Sequence, residues 1–375
     1  MIAADSLRAL EAALRALPLH SFADGLSGVL AEHVGVKGAV VRLVDYPAAQ
    51  LVSLADPRDV VPIAGTVVGA AYREQQAVLD GPEVHLPLVC RGNCHGVLSG
   101  TVQDAEPTEL AEVADAVADA LQVADVGTDQ LTRARRDRRM TVAAEMQWDL
   151  LPARGLACAE FTLAGQLEPA YSVRGDNFDW SLDPGHLTLT LTNGWGEGMD
   201  AAVVTAIAIS AMRNARRSGH GIAEAAALAD QAVYGQYAGE RSVAALLISV
   251  DLATGAMGVV DCGSPELWLV RGETSTRIDL DRQVPLGAVE ETLYRVQPER
   301  LLPGDRLVAV SDGVFDSSDG ERTYADTSLP RTLRTTRGLP PVQVVRAVLS
   351  DLAVFRDHRE LDDDAVVVCL DWHGQ

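Results

Sequence analysis

No stretch of this 375-residue chain approaches the roughly 20 consecutive apolar residues that a membrane-spanning helix needs. The opening segment, Met1 to Leu17, also lacks an apolar secretion core. Asp5, Arg8, Glu11 and Arg15 interrupt its alanines and leucines, and Leu7, Leu10, Leu14 and Leu17 recur at amphipathic-helix spacing. Cysteines are few, scattered and odd in number (Cys90, Cys94, Cys158, Cys262, Cys369), which excludes a disulfide framework and implies a reducing, cytoplasmic compartment. Basic side chains are outnumbered 31 to 53, for a formal net charge of -22. That balance argues against nucleic acid, whose phosphates are neutralised by clustered Lys and Arg, and against anionic membrane surfaces. Its plainest effect is on solubility. Tandem repeats and low-complexity tracts are missing too.

What is present is 47% hydrophobic residues over a length that suggests two domains, each able to bury a core. Phe22 to His33 repeats the helical pattern of the first segment, and Gly38 to Asp45 reads as a buried strand. Val84 to Val89 and Gly96 to Val102 are strand-like runs around Arg91-Gly92-Asn93, a hairpin turn signal. Glu109 to Ala124 then carries Leu110, Val113, Val117 and Leu121 on one helical stripe. Helices, a small antiparallel sheet and a closing helix over residues 1–126 resemble a GAF-like sensory domain. Residues 127–148 read as a polar linker helix rich in arginine (Arg133, Arg135, Arg136, Arg138, Arg139). Such a helix is either a signalling connector that pairs across a homodimer or a solvated spacer.

From about Phe161 the texture changes to strands separated by Gly, Pro and Asp turns. Leu187 to Thr192 alternates as a half-buried strand does, and further strands are expected at Ala244 to Leu252, Met257 to Asp261, Leu267 to Arg271, Arg306 to Val310 and Ala365 to Leu370. Helices are expected at Asp200 to Arg217, Ile222 to Tyr237 and Pro341 to Val354. Residues 149–375 therefore read as an α+β layered fold of packed sheets flanked by helices.

Chemistry concentrates in acidic residues beside glycines at strand ends. Asp176 lies in Arg174-Gly175-Asp176-Asn177-Phe178-Asp179, Asp312 in Val310-Ser311-Asp312-Gly313-Val314, and Asp362, Asp363 and Asp364 precede the last strand. A single Asp-Gly is usually only a turn. Several carboxylates fixed on strand ends are instead what Mg²⁺ or Mn²⁺ requires, hard oxygen ligands in a near-octahedral array. Paired ions of this kind activate water and clamp a phosphoryl group for in-line displacement.

Taken in order, these motifs resemble the SpoIIE/RsbU branch of PPM-type (protein phosphatase 2C) serine/threonine phosphatases. Met146-Gln147 with Leu150-Leu151-Pro152 is similar to that family's "IQ…LLP", and Arg174 to Asp179 to its "GGDFYD". Asn193-Gly194-Trp195-Gly196-Glu197-Gly198 with Ala201-Ala202 stands for "DVSGHG…AA", Gly263-Ser264-Pro265 for "GHPP" and Pro285-Leu286-Gly287 for "PLG". Pro303-Gly304-Asp305 through Val314 stands for "PGD…TDGV", and Asp363-Asp364-Ala365-Val366 for "DDIT". The resemblance implies a PPM-type α/β-β/α sandwich and phosphoprotein hydrolysis. It also implies a pair of Mn²⁺ or Mg²⁺ ions lined by Asp176, Asn193, the Gly194 carbonyl, Asp312 and Asp363. Asp176, Asp312 and Asp363 would be the catalytic carboxylates, and a phosphorylated STAS-domain anti-sigma antagonist the expected partner.

Four departures bear on activity. Asn193 replaces the family's bridging aspartate, Arg174 replaces a glycine, and Val366 replaces a threonine. The first two shift the local balance by two charge units against cations, with each unit worth on the order of a few kcal/mol at short range. Glu197, in place of a histidine, returns one carboxylate. A working phosphatase with a weakened site, a pseudophosphatase that binds without turnover, and a regulator acting only through its first domain all remain open. The Cys90-x3-Cys94-His95 spacing does not match a zinc ribbon and reads as turn residues. His186 and His220 read as surface positions with no Ser-His-Asp arrangement.

Overall fold

A computed structural model describes residues 4–103, 107–136, 140–170 and 173–374. The chain divides into two compact units, Met1–Arg139 and Met140–Gln375.

The first unit runs α1 (Ala4–Ala16), a 3₁₀ turn (Leu19–Ser21), α2 (Phe22–Val34), β1 (Lys37–Val44), β2 (Gln50–Ser53), β3 (Val60–Pro62) and α3 (Val67–Glu74). It continues with β4 (Val78–Asp80), β5 (Glu83–Cys90), β6 (Asn93–Thr101), α4 (Pro107–Asp125) and α5 (Gln130–Ala134). The strands form one antiparallel sheet in the order β3-β2-β1-β6-β5-β4. Alternation divides its side chains. Val84, Leu86 and Leu88 join a core with Leu10 and Leu14 of α1, Leu26 and Leu30 of α2, and Val113, Val117 and Leu121 of α4. Val44, Leu51, Cys94 and Val97 join Ala71 and Tyr72 of α3 in a second cluster. Arg91 and Gly92 turn the β5–β6 hairpin with φ of +49° and +88°, the two left-handed residues that a tight hairpin needs. Cys94 and His95 are therefore buried strand residues rather than turn residues, and burial holds the His95 imidazole down at a pKa of about 4.

Residues 127–148 do not form the single polar helix expected from their composition. Leu131 and Ala134 of α5 are buried in the first unit's core, and Arg135 pairs with Asp125 at 2.8 Å. A new helix, α6 (Val142–Leu150), opens at Thr141, whose hydroxyl accepts from the Ala144 N–H at 3.2 Å. Two apolar anchors and one capping residue outweigh the run of arginines, of which Arg138 and Arg139 lie outside the described residues.

After α6, the second unit comprises β7 (Gly155–Ala157), β8 (Phe161–Glu168), β9 (Asp176–Asp183), β10 (His186–Gly194), α7 (Met199–Arg217), α8 (Ile222–Tyr237), β11 (Val243–Asp251), β12 (Ala256–Cys262), β13 (Glu266–Arg271) and β14 (Thr274–Arg277). Then come β15 (Gln297–Arg300), β16 (Arg306–Val310), α9 (Asp312–Phe315), α10 (Tyr324–Thr327), α11 (Leu329–Thr335), α12 (Pro341–Phe355) and β17 (Ala365–Trp372). Two antiparallel sheets result, β15-β12-β11-β10-β9 and β14-β13-β16-β17-β8-β7. In β17, Val366, Val368, Leu370 and Trp372 face the central core, while Ala365, Val367 and Cys369 face α11 and α12. In β11, Leu246, Ile248 and Val250 join the same central core, while Val243, Ala245 and Leu247 face α7 and α8. Strands apolar on both faces give four layers, helices, sheet, sheet, helices. No helix among the described residues is long and apolar enough to cross a membrane.

Candidate active site

Antiparallel pairing collects the acidic motifs at one end of the sandwich. In the first sheet the start of β9 lies opposite the end of β10, so Asp176 pairs in register with Asn193. In the second sheet the end of β16 meets the start of β17, with Val310 opposite Val367. Asp312 therefore emerges beside Asp363 and Asp364. Ser311 ties the two ends together: its N–H donates to the Val366 carbonyl (3.1 Å) and its hydroxyl accepts from the Val366 N–H (2.9 Å).

Glycine permits this convergence. Gly175 has φ +90°, and a Cβ there would stand 2.7 Å from the Gly194 carbonyl oxygen. A Cβ on Gly313 would run into the carbonyl of Asp364. The Asp-Gly pairs thus do more than turn the chain: they let two strand ends and one helix start approach backbone to backbone.

The four acids are not equivalent. Asp364 is fully buried and spent on scaffolding, accepting from the Ala170 N–H (2.8 Å), the Arg174 N–H (2.8 Å) and Gln147 Nε2 (2.7 Å). Gln147 also donates to the Asp176 carbonyl (2.9 Å), so α6 is bonded directly to the floor of the site. Asp176 is fully buried as well, yet neither carboxylate oxygen receives a well-formed hydrogen bond. Burial pushes its carboxyl well above the usual range, and Asp312 and Asp364 push it further. Burial also raises Asp312, against the opposing Gly313 N–H and Asn193 amide. Asp363 is raised to about 6 by burial and then by Asp312.

Asn193 points its amide nitrogen into Asp312, 2.7 Å from Oδ1 and 2.6 Å from Oδ2. The end of β10 is thus a donor facing a carboxylate. Gly194 follows it, with its N–H on the Gly175 carbonyl (3.2 Å). Arg174 and Glu197 flank this group 3.8 Å apart, both partly exposed. Asp179, which shares a motif with Asp176, faces away and holds Arg213 (2.8 Å) and Arg216 (3.3 Å) of α7. His186 and His220 are exposed beside Asp251 and Glu224, and neither joins the cluster.

A hard divalent cation could draw on Asp176, Asp312 and Asp363, and the orphaned oxygens of Asp176 fit such a role. The Asn193 amide does not fit a second, bridged ion, because its hydrogens occupy the Asp312 oxygens. Among the described residues no three His, Cys, Asp or Glu side chains converge closely enough to make a finished metal cluster. Thr205, which the sequence did not single out, donates its hydroxyl to the Gly175 carbonyl (2.9 Å) and so supports the Asp176 turn. Only its position four residues into an alanine-rich helical stripe, beside Ala201, Ala202 and Val204, could have suggested an inward-facing hydroxyl.

The family model of stage II sporulation protein E (SpoIIE) matches residues 183–373, just over half of the chain. That span includes Asn193, Gly194, Asp312 and Asp363, and begins after Asp176. Among solved structures, the PP2C phosphatase domain with a regulatory-domain fragment of SpoIIE from Bacillus subtilis aligns at TM-score 0.52 and 19% identity, covering 58% of this chain and 63% of that one. At that identity the likeness concerns the fold. The SiaA-PP2C domain of Pseudomonas aeruginosa aligns at TM-score 0.49 and 19% identity, over 56% of this chain and 84% of that one. The RsbU and RsbW domains of Rv1364c from Mycobacterium tuberculosis align at 0.48 and 22%, over 57% and 60%. No curated protein matches the chain.

Proposed function

The chain belongs to the SpoIIE family, and from that membership we propose that its second unit is a metal-dependent phosphoserine/phosphothreonine phosphatase. The observation that carries the reading is Asp176, a completely buried carboxylate whose two oxygens receive no well-formed hydrogen bond among the described residues, beside Asp312 and Asp363. An uncompensated buried acid costs several kcal/mol unless a cation or proton answers it, and three together define a place for a cation. Asp176, Asp312 and Asp363 would hold Mn²⁺ or Mg²⁺, with the Gly194 carbonyl as a further hard oxygen. A bound ion supplies Lewis acidity toward phosphoryl oxygens and water. The chain's own part is to fix those carboxylates on rigid strand ends, with Gln147 and Asp364 bracing the backbone beneath them.

The first unit is proposed as a GAF-like sensory domain (residues 1–126) that can dimerise, joined through residues 127–148 to the phosphatase unit (149–375). A phosphorylated STAS-domain anti-sigma antagonist is the proposed substrate, and the cytoplasm the proposed location. The decisive measurement is Mn²⁺-dependent hydrolysis of p-nitrophenyl phosphate by the native chain, Asp312→Ala and Asp363→Ala. Each variant should abolish turnover while circular dichroism stays native. Unchanged turnover in either removes the site assignment.

One observation favours a second reading. With both Asp312 oxygens hydrogen-bonded to Asn193, that carboxylate is satisfied without an ion, as suits a pseudophosphatase that binds a phosphoprotein and signals without hydrolysis. Calorimetric Mn²⁺ binding together with zero turnover in the native chain would select it.

A further inference from the structure

Arg174 lies at the edge of the acidic cluster, and among the described residues its ion-pair partner, Glu197, stands off at 3.8 Å. Its position is set from behind, because its N–H is held by the buried Asp364 carboxylate at 2.8 Å. Its side chain is not held in the same way. The guanidinium reaches Glu197 only at 3.8 Å, beyond hydrogen-bonding distance, and its buried Nε has no hydrogen-bond partner among the described residues. Other arginines of this unit close two-point pairs with carboxylates: Arg213 on Asp179 at 3.1 and 2.8 Å, Arg271 on Asp305 at 2.8 and 2.6 Å, Arg306 on Asp371 at 2.5 and 2.8 Å. The Arg174 charge is felt at Asp363 and Asp362 on one side and at Glu197 on the other. The guanidinium therefore stands between the lead-in to β17 and the turn after β10, across the mouth of the cluster.

Its chemistry differs from that of its neighbours. Asp176, Asp312 and Asp363 recruit cations and repel an anionic substrate until their charge is answered. At the same mouth, Asn193 supplies no charge and Arg174 adds a positive one. A planar fork with free N–H donors matches two oxygens of a phosphoryl group, which a carboxylate cannot do and an ammonium does only as a point charge.

We propose that Arg174 is a substrate-binding residue whose guanidinium receives the phosphoryl dianion at the mouth of the site, taking over part of the positive charge that a second divalent ion would supply. This rests on the phosphoryl chemistry of the proposed function and names its ligand-binding group. The Glu197 carboxylate competes with the phosphoryl group for that fork and is displaced when it binds.

The test is calorimetric titration of the full chain with inorganic phosphate in EDTA, so that no metal contributes. Arg174→Ala should weaken phosphate binding at least tenfold, about 1.4 kcal/mol. Arg174→Lys should recover only part of the loss, and Glu197→Gln should tighten binding severalfold. A purely structural Arg174 would produce neither the graded Lys rescue nor the Glu197 gain. In Mn²⁺, Arg174→Ala should raise KM for p-nitrophenyl phosphate far more than it changes kcat, as loss of uniform binding does. A phosphoserine peptide that binds more tightly than inorganic phosphate and suffers the same Arg174→Ala loss identifies the ligand as a phosphoprotein. Equal affinities identify free phosphate. Phosphate affinity in Arg174→Ala within twofold of native, or no phosphate binding by the native chain at tens of millimolar, overturns the proposal. Zero turnover by the native chain overturns hydrolysis alone, since the metal-free titration still decides the role of Arg174.

Discussion

At the scale of single residues, Asn193 decides how the cluster meets a cation. Its amide now stabilises Asp312 by donating to both oxygens. Asn193→Asp replaces two hydrogen bonds with a like-charge contact, so the metal-free protein should melt lower than native. The same change adds a negative charge where an ion would be bridged. Mn²⁺ affinity should rise by about two decades, near 2.8 kcal/mol, and Mn²⁺ should then raise the variant's melting temperature more than the native one's. Calorimetry and thermal melts with and without Mn²⁺ check both signs, and equal affinities in the two proteins would refute the account. Asp363 gives a pH dependence. Its folded pKa of about 6 lies above the unfolded carboxylate value, so the folded state holds the extra proton between about pH 4 and 6. In EDTA, stability should fall as pH rises through that window, by on the order of 2 kcal/mol. Asp363→Asn should flatten this fall in urea titrations run at several pH values.

These residues were legible in the sequence as a group, because each acid lies where an apolar strand begins or ends: Asp176 after Gly175, Asp312 before Gly313, and Asp363 just ahead of the last strand. Their division of labour was not. Asp362, Asp363 and Asp364 are consecutive and chemically identical, yet Asp364 is buried and bonded to Ala170, Arg174 and Gln147, all about 190 residues or more away in sequence, while Asp362 is exposed and pairs with Arg356. No local pattern encodes partners at that separation. Gln147 was visible as part of a motif, but its bridge between the Asp176 carbonyl and Asp364 appears only once α6 is placed.

At the scale of elements, the long periodic segments were the readable ones. Ile222 to Tyr237 is a helix from end to end, since alanines and an apolar stripe agree with the capping of the Gly221 N–H by Glu224. The strands β7, β14 and β15 span three or four residues, too few for alternation to register, and α9 is a single turn. That turn matters most to the site, because α9 carries Asp312 at its start and touches the β17 lead-in through Gly313. Gly313→Ala would force a methyl into the Asp364 carbonyl. Overpacking of this kind costs about 1–3 kcal/mol, and relief must come by moving α9 and Asp312 away from Asp363. The variant should therefore lose Mn²⁺ affinity out of proportion to its lower melting temperature. A melt equal to native would show that the contact is loose.

At the scale of the whole molecule, two compact units with separate cores imply separate folding, and where the second begins is fixed by α6. Ala143 and Met146 pack with Val173 and Ala202, Trp148 lies against the central core, and Leu150 against the α7–α8 cluster. Gln147 adds two buried hydrogen bonds, to the Asp176 carbonyl and to Asp364, and the Leu150 carbonyl accepts from Arg213 at 2.6 Å. A chain of residues 140–375 keeps all of these contacts and should unfold in one cooperative transition with native-like circular dichroism. A chain of residues 151–375 exposes the apolar faces that α6 covered and leaves Asp364 one donor short. Losing one hydrogen bond to a charged group and several partly buried side chains should cost about 3–4 kcal/mol, or about 10 °C in a domain of this size. Because Asp364 also fixes Ala170 and Arg174, the shorter chain should lose Mn²⁺ and phosphate binding even at temperatures where it stays folded. Equal melting temperatures for the two chains would place the boundary after α6, and α6 would then be a connector rather than the floor of the site.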